Sequence, residues 1–243
     1  MNAVQKAEIR SEGWHFFDAA YCISLASRPD RRETAAKQFK AVGLQDQVEF
    51  VIVEEHPTDN EQGIFESHLL CMAKGITAGA RHILLFEDDI VFKGYSSQKL
   101  AQVTAFLSQN DRCRLFFLGC LVSGSQPTLS PGILKVDYRA LTHAYVIESS
   151  LAKELAAQKW HRKPFDVALA EVPEEKFAHY PSFAFQSNSP SDNARLKNLD
   201  RIRRLCGGLG FIQKMNERYY RHKVIVLAGH LIILAALVWL YLR

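Results

Sequence analysis

The chain has few cysteines, and their spacing gives them no common task. Its 243 residues include five scattered cysteines, with no C-x-x-C pair and no Cys/His zinc spacing. An odd, scattered set argues against a disulfide-stabilised secreted scaffold and indicates a reducing compartment. Internal repeats and low-complexity runs are also missing. The length and an apolar fraction of 48% therefore predict one catalytic-sized domain with an appendage.

A glycine-rich phosphate loop is the second absence. Neither G-x-G-x-x-G nor the Walker sequence occurs, which disfavours dinucleotide-binding and P-loop enzymes. Any phosphate would then be held by a metal ion and basic side chains. The first eight residues have no apolar core, so no signal peptide is predicted there.

Charge is nearly balanced overall but uneven along the chain. The formal net charge is +4, and the segment 195–223 carries nine lysines and arginines against two acids, Asp200 and Glu217. Nucleic-acid binding is one interpretation of this segment. The segment adjoins an apolar run and has few interleaved aromatic residues besides Tyr219 and Tyr220, so no nucleic-acid partner is expected.

The apolar run from Val224 to Leu242 predicts a membrane-spanning helix. It is interrupted only by Gly229 and His230, and at helical rise it spans roughly 30 Å, the thickness of a bilayer core. The alternative is a buried core helix, but such helices rarely lack a polar face over this length. His230 would pair with another helix or be functional. Basic residues precede the run and only Arg243 follows it, which predicts a single-pass protein of the inner membrane with a cytoplasmic catalytic domain.

Strand and helix patterns alternate along the rest of the chain. This alternation predicts an α/β fold with a mostly parallel sheet flanked by helices. A polar stretch from Ser187 and three glycines, Gly207, Gly208 and Gly210, predict a domain end and a hinge. The predicted divisions are a catalytic domain over 1–193, a basic juxtamembrane segment over 194–223 and a transmembrane helix over 224–242. The predicted strands are 19–25, 48–53, 82–86, 113–118 and 132–136, with a strand and helix in 143–159 and an extended segment over 177–186; further helices are predicted over 29–42, 61–78 and 97–107.

Three acids end the predicted strand His82–Phe86. Glu87, Asp88 and Asp89 follow this short, branched and aromatic run, which is typical of a buried strand. Clustered carboxylates repel one another unless a cation lies among them, and hard oxygen ligands suit Mg²⁺ or Mn²⁺. Ligands of α/β sheets bind at the carboxyl ends of strands. The alternative is a solvated turn in which Asp88 or Asp89 caps a short helix.

These acids belong to a series of short motifs that resembles glycosyltransferase family 25, the lipopolysaccharide-type sugar transferases. The resemblance runs from about Tyr21 to Asn193, and each block is short, but their order is specific. The sequence departs from the pattern at Ile64, where a small residue or cysteine is usual, and at Met72, where a tryptophan is common; these departures concern the acceptor pocket rather than the metal site. The blocks are 21–25 with 28–32, Gly63 with Ser67 and His68, 84–89, 118–119, 142–147, Asp166, and 180–181 with Gln186.

The resemblance implies a GT-A fold, a nucleotide-sugar donor, usually linked to UDP, a divalent cation and inversion at the anomeric carbon. Asp89 is then the main metal ligand with Glu87, since both point the same way along an extended strand. Glu87 and Asp88 would also contact metal-bound water or the ribose.

Arginines Arg28 and Arg31 follow the first strand and are expected to bind the donor, with Arg28 preferred, because a planar guanidinium fits phosphate. Arg32 fits a solvated helix start. Ser67, His68 and Gln186 are further candidates for donor contacts, although a lone helical histidine is more often packed or hydrogen-bonded.

Inverting transfer needs a general base for the acceptor hydroxyl, and Asp166 is the candidate. The alternative is that Asp166 is a helix N-cap. In that case Glu148 or Glu171 would be the general base. His179 is a further candidate for the metal. The sequence thus predicts a hexosyltransferase, with galactose favoured, acting on a lipid-linked glycan such as the lipopolysaccharide core. The alternative is a membrane-tethered nucleotide-sugar-binding or scaffold protein without turnover.

Overall fold

The computed structural model describes residues 13–188, 203 and 207–242. A short 3-10 turn, Trp14–Phe16, precedes the first strand. The strands are β1 Ala19–Leu25, β2 Val48–Val53, β3 His82–Glu87, β4 Ile90–Phe92, β5 Leu115–Phe117, β6 Leu121–Pro127, β7 Ile133–Ala140, β8 Ala144–Glu148, β9 Lys176–His179 and β10 Ala184–Gln186. The helices are α1 Pro29–Val42, α2 Asn60–Thr77, α3 Ser97–Gln109, α4 Ser149–Ala156, α5 Phe165–Glu171 and α6 Gly208–Tyr241.

An eight-stranded sheet forms the centre of the fold, in the order β2-β1-β3-β8-β5-β9-β7-β6. The strand pairings show that β7 and β8 are antiparallel to the other six strands of this sheet. The prediction of an α/β fold with a mostly parallel sheet is therefore confirmed in strand direction. Strands β4 and β10 form a separate antiparallel pair.

Strand β6 was not predicted from the sequence. Its residues include Ser123, Gly124, Gln126 and Pro127, which are poor strand formers. It forms because it lies at the sheet edge, where β7 supplies the pairing and Pro127 needs no partner on its other side. Tertiary pairing here overrides local propensity.

Helices cover both faces of the sheet, and the alternation of side chains along β3 divides the core between them. Leu84 and Phe86 pack on the side of α1 and α3, whereas Ile83 and Leu85 pack on the side of α2, α4 and α5. Helix α1 ends at Gly43, whose φ of 80° is the left-handed conformation that glycine adopts without strain. The result is a three-layer arrangement in which the carboxyl ends of β1, β2 and β3 share one edge.

Helix α6 contains the predicted membrane-spanning run and extends it toward the N-terminus as far as Gly208. It is long and apolar enough to cross a membrane, and its apolar part is exposed. The predicted glycine hinge stays a prediction: Gly207 and Gly208, with φ of 90° and 78°, are left-handed at the start of α6, and Gly210 lies inside it. At His222 the backbone is not helical, and two helical segments of α6 meet there at a kink. The predicted domain boundary at residue 193 lies outside the described residues.

Candidate active-site cleft

A cleft of about 420 Å³ opens at the carboxyl ends of β1, β2 and β3. Parallel strands place their carboxyl ends at one edge, which is the usual ligand site of α/β sheets. The first half of α2, the loop before β8, the start of α5, the end of β10 and the start of α6 complete its wall. The predicted site residues in this wall are Arg31, Ser67, His68, Glu87, Asp88, Asp89, Asp166 and Gln186.

The three acids do not lie along one extended strand, which the predicted common direction of Glu87 and Asp89 required. Strand β3 ends at Glu87, and Asp88 and Asp89 form a turn before β4. The expected alternation therefore does not hold, and each carboxylate has its own partners. No helix follows the turn, so the capping alternative is wrong as well.

Asp88 points to β1 and α1. Its Oδ2 accepts a hydrogen bond from Ser24 Oγ at 2.8 Å, and its Oδ1 lies 3.5 Å from Nη1 of Arg31. Burial raises the pKa of Asp88 above its usual value, although Ser24 and Arg31 oppose this rise. Asp88 is only 7% exposed, and it therefore serves mainly to hold Arg31 beside the cleft.

Glu87 points to α2 and to the loop before β8. Its Oε1 accepts a hydrogen bond from Thr142 Oγ1 at 2.5 Å and lies 3.5 Å from Nε2 of His68. Burial raises the pKa of Glu87, but the contacts with His68 and Thr142 together lower it by more than burial raises it. The pKa of Glu87 is therefore below its usual value. Glu87 is therefore held ionised, with one oxygen already engaged.

His68 is fully buried between Glu87 and two aromatic rings. Its Nδ1 lies 3.0 Å from the Tyr145 hydroxyl, and its ring stacks on Phe165 at a centroid distance of 4.1 Å. The predicted donor contact of His68 stays a prediction. Its observed contacts make it a residue that orients Glu87 and connects Glu87 to the start of α5.

Asp89 is the acid with a buried oxygen that has no hydrogen-bond partner among the described residues. Its Oδ2 accepts a 2.6 Å hydrogen bond from Gln186 Nε2, whereas its buried Oδ1 has no hydrogen-bond partner among the described residues. Burial and the negative charge of Glu87 raise the pKa of Asp89 to about 8. The positive charge of Arg31 and the hydrogen bond from Gln186 oppose this rise without cancelling it.

The arginine that lines the cleft is not the one that was preferred from the sequence. Arg28 Nη2 and Nε pair with Asp30 at 2.8 and 3.0 Å, and Arg28 is not part of the cleft wall. Arg31 lines the cleft beside Asp88. The preference for Arg28 is therefore corrected in favour of Arg31. Arg32 donates to Ser24 Oγ and to the Leu25 carbonyl, so it is structural.

Asp166 lies in the first turn of α5, next to the buried Phe165. The N-cap of this helix is Pro164, so the capping alternative is wrong for Asp166. Its Oδ1 accepts from the Val167 amide at 2.8 Å, and burial, together with the charges of Glu87 and Glu61, raises its pKa. A carboxylate with a raised pKa in a cleft wall suits a general base.

The other predicted acids and His179 lie elsewhere. Glu148 caps α4 at the opposite end of the sheet, and Glu171 is exposed and paired with Lys163, so neither replaces Asp166. His179 is buried between the Pro181 carbonyl and Gln102, at 3.0 Å from each, outside the cleft wall. Burial lowers its pKa to about 4. The suggestion that His179 reaches the metal is wrong.

Sequence reasoning gave no role to several residues at the site. Ser24 and Thr142 each donate to one of the acids, and Leu209 of α6 lines the cleft. Ser24 was detectable as a polar residue near the end of an apolar strand. Thr142 opens one of the short motif blocks, but its contact with Glu87, like the place of Leu209 in the cleft wall, depends on long-range packing.

The acids fit a metal site only in part. Among residues 13–188, 203 and 207–242, no group of three or more His, Cys, Asp or Glu side chains is arranged to hold an ion. Magnesium-type ions commonly take one or two carboxylates and complete their shell with substrate phosphates and water. Asp89 and Glu87 line the same cleft and are carboxylates of the kind that such an ion takes, and Oδ1 of Asp89 has no partner among the described residues.

Comparisons with known proteins identify no family. No family model matches the chain, and no curated protein matches it. Among solved structures, mannose-1-phosphate geranyltransferase from Thermus thermophilus has a TM-score of 0.44 at 9% identity, covering 66% of this chain and 73% of that chain. A glycosyltransferase involved in glycosylation of the major capsid of PBCV-1 has a TM-score of 0.42 at 12% identity, covering 66% and 81%. UDP-glucose pyrophosphorylase from Acinetobacter baumanii has a TM-score of 0.42 at 11% identity, covering 92% and 86%. At these values the likenesses establish neither a family nor a substrate.

Proposed function

We propose that this protein is a metal-dependent inverting glycosyltransferase that moves a hexose, with galactose favoured, from a UDP-sugar to a lipid-linked glycan. The observation that carries this proposal is the buried Oδ1 of Asp89, which has no hydrogen-bond partner in the part of the chain that the structure describes and belongs to a residue lining a cleft at the carboxyl ends of β1 and β3. The resemblance of the sequence motifs to glycosyltransferase family 25 supports the same reaction.

The donor's diphosphate is assigned to the side of the cleft that holds Asp89 and Arg31. Asp89 and the second oxygen of Glu87 would hold Mn²⁺ or Mg²⁺, which, when bound, offsets negative charge on the leaving diphosphate. Arg31, held by Asp88, adds a fixed positive charge near the phosphates. Gln186 keeps Asp89 oriented through its 2.6 Å hydrogen bond.

The acceptor is assigned to the side of the cleft that holds Asp166. Sugar transfer with inversion requires the acceptor hydroxyl to attack from the face opposite the diphosphate, while a base takes its proton. The Val167 amide holds one oxygen of Asp166 and leaves the other available for that proton. The raised pKa of Asp166 brings its basicity closer to what proton transfer near neutral pH needs.

The exposed apolar part of α6 supports a membrane location. We place it as a single-pass helix of the inner membrane, with the cleft on the cytoplasmic side, because basic residues precede the apolar run. Confinement beside a lipid-linked acceptor raises the effective concentration of that acceptor. The basic part of α6 adds attraction to anionic lipid.

The test is release of UDP from UDP-galactose, UDP-glucose and their N-acetylated forms by the full-length chain in detergent. We expect turnover that needs Mn²⁺ or Mg²⁺ and is lost in Asp89→Ala, with Asp46→Ala, an exposed acid, as the matched control. Metal-dependent binding without UDP release in any acceptor mixture would support the scaffold alternative. Equal turnover after chelation would overturn the proposal.

A further inference from the structure

The first half of α6, residues 208–221, has a docked face and an exposed face on opposite sides. On the docked face, Gln213 is fully buried, and its Nε2 donates to the Ala184 carbonyl at 3.0 Å. Asn216 makes two 2.9 Å hydrogen bonds with the backbone of Val122, one as acceptor and one as donor. These contacts with β10 and β6 determine which side of the helix is turned away from the domain.

The exposed face carries a stripe of large apolar side chains. Phe211, Met215 and Tyr219 recur at intervals of four residues, so they lie on one side of the helix. Their exposed fractions are 54%, 48% and 42%. Contiguous apolar patches, unlike scattered apolar side chains, mark interaction sites. The stripe is therefore a surface that another apolar phase or molecule would cover.

Basic side chains border this stripe. Lys214, Arg218 and Arg221 are exposed, and at about 100° per residue all three lie along one flank of the stripe. In the sequence from 208 to 223 Glu217 is the only acid, and it faces the domain, where its Oε2 accepts from the Ser182 amide at 3.3 Å. A helix face that combines apolar and aromatic side chains with lysine and arginine is complementary to an anionic lipid surface.

The stripe leads into the apolar run of the same helix. Tyr219 precedes Val224 by five residues, which is roughly 8 Å at helical rise. Between them the backbone of His222 is not helical, and two helical segments meet there at a kink. The two segments therefore differ in direction, so the first can lie along a bilayer surface while the second crosses the bilayer.

We infer that the exposed face of residues 208–221 binds the surface of an anionic bilayer, with the apolar stripe inserted at the level of the headgroups. The basic flank pairs with anionic headgroups beside it. Electrostatic attraction alone would leave the stripe in water, whereas insertion removes its apolar area from water. This inference rests on the proposed membrane location and is independent of the proposed reaction.

A second copy of this chain fits the same face less well. Three side chains of this size at about half exposure offer roughly 300 Å², compared with about 800 Å² per partner in a stable interface. The same face of a second copy also brings no acid to the basic flank, since Glu217 is engaged on the docked side. A lipid surface meets both requirements, because it is apolar below its headgroups and negatively charged at them.

The test attaches a fluorescent label to single cysteines of the full-length chain in lipid nanodiscs and measures quenching by iodide. Met215→Cys reports on the stripe, and Leu234→Cys reports on the apolar run. Asp46→Cys is the aqueous control, because Asp46 is exposed and precedes β2, at the sheet edge opposite to β6. The background carries Cys206→Ser, and the other four cysteines are buried. The discs contain phosphatidylethanolamine with phosphatidylglycerol, or phosphatidylcholine alone.

We expect iodide to quench the label at 215 at least about fivefold less than the label at 46 in the anionic discs, because an anion does not enter the hydrocarbon boundary. This protection should be weaker in phosphatidylcholine discs. It should also be weaker in a triple variant with Lys214→Gln, Arg218→Gln and Arg221→Gln, which keeps the stripe and removes the basic flank.

Three results would overturn the inference. Equal quenching at 215 and 46, with the label at 234 protected, overturns it and leaves the membrane location standing. Equal quenching at all three positions overturns the membrane location as well. Protection of the label at 215 only in discs that hold two chains would assign this face to a second copy instead of lipid.

Discussion

Neutralising Asp89 should stabilise the metal-free protein while removing its response to metal. The raised pKa of Asp89, about 8, means that folding disfavours its ionised form. In the unfolded chain an aspartate has a pKa of about 3.9. Between these values the folded state binds more protons than the unfolded state, so this group makes the free energy of unfolding fall as pH rises, and the fall is complete above pH 8.

The size of the effect follows from the difference in pKa. About four pKa units at about 1.4 kcal/mol each set an upper limit of about 6 kcal/mol at pH 8. Asp89→Asn removes the buried charge but also weakens the charge-assisted hydrogen bond from Gln186. We therefore expect a net gain of about 2 kcal/mol at pH 8 and almost none at pH 4.

The assay is urea unfolding in detergent, followed by tryptophan fluorescence, with chelator present and at pH 4.5, 6 and 8. Asp46→Asn, at an exposed acid, is the control and should change stability little at any pH. Added Mn²⁺ should stabilise the unmodified protein and not Asp89→Asn, since a ligand stabilises the state that binds it. If Asp89→Asn destabilised the chelated protein at pH 8, the account of Asp89 as an uncompensated buried acid would be wrong.

Three further expectations test the surroundings of the site. Gln186→Leu should weaken Mn²⁺ binding by about 10–100-fold, measured by calorimetry, because Asp89 loses its orienting partner; unchanged affinity would contradict this. Gln213→Leu should lower the free energy of unfolding by about 1–3 kcal/mol, because the Ala184 carbonyl stays buried without its donor; a neutral effect would show that α6 is not firmly docked. The buried His179, whose pKa is about 4 against about 6.5 when unfolded, should make the protein about 2 kcal/mol less stable at pH 5 than at pH 7. His179→Gln should remove that part of the slope.

Local pattern was sufficient for most of the fold. Strands β1 and β2 and helix α1 begin and end where their apolar runs and the flanking proline and glycine place them. The apolar run of α6 was equally legible, because its length and composition need no partner to be recognised. Strand β6 was not legible, since its residues favour turns and only the pairing with β7 makes them extended.

At the site, the residue types could be predicted from the sequence, whereas their hydrogen-bond partners could not. The residue types of the three acids and their position after a buried strand are sequence properties, and these were enough to locate the cleft edge. Groups distant in the chain decided which acid keeps a buried oxygen without a hydrogen-bond partner among the described residues. Thr142 donates to Glu87, Ser24 donates to Asp88, and Gln186 donates to only one oxygen of Asp89. No local pattern carries that information, because each partner comes from another element.

For this protein, sequence alone determined which chemistry is available and where the long apolar helix lies, because composition and periodicity are local quantities. Tertiary structure decided that Arg31 rather than Arg28 faces the cleft and that the first half of α6 is docked on the domain. These outcomes depend on which side chains meet across the sheet edge, and packing sets such meetings over separations that no window of sequence spans.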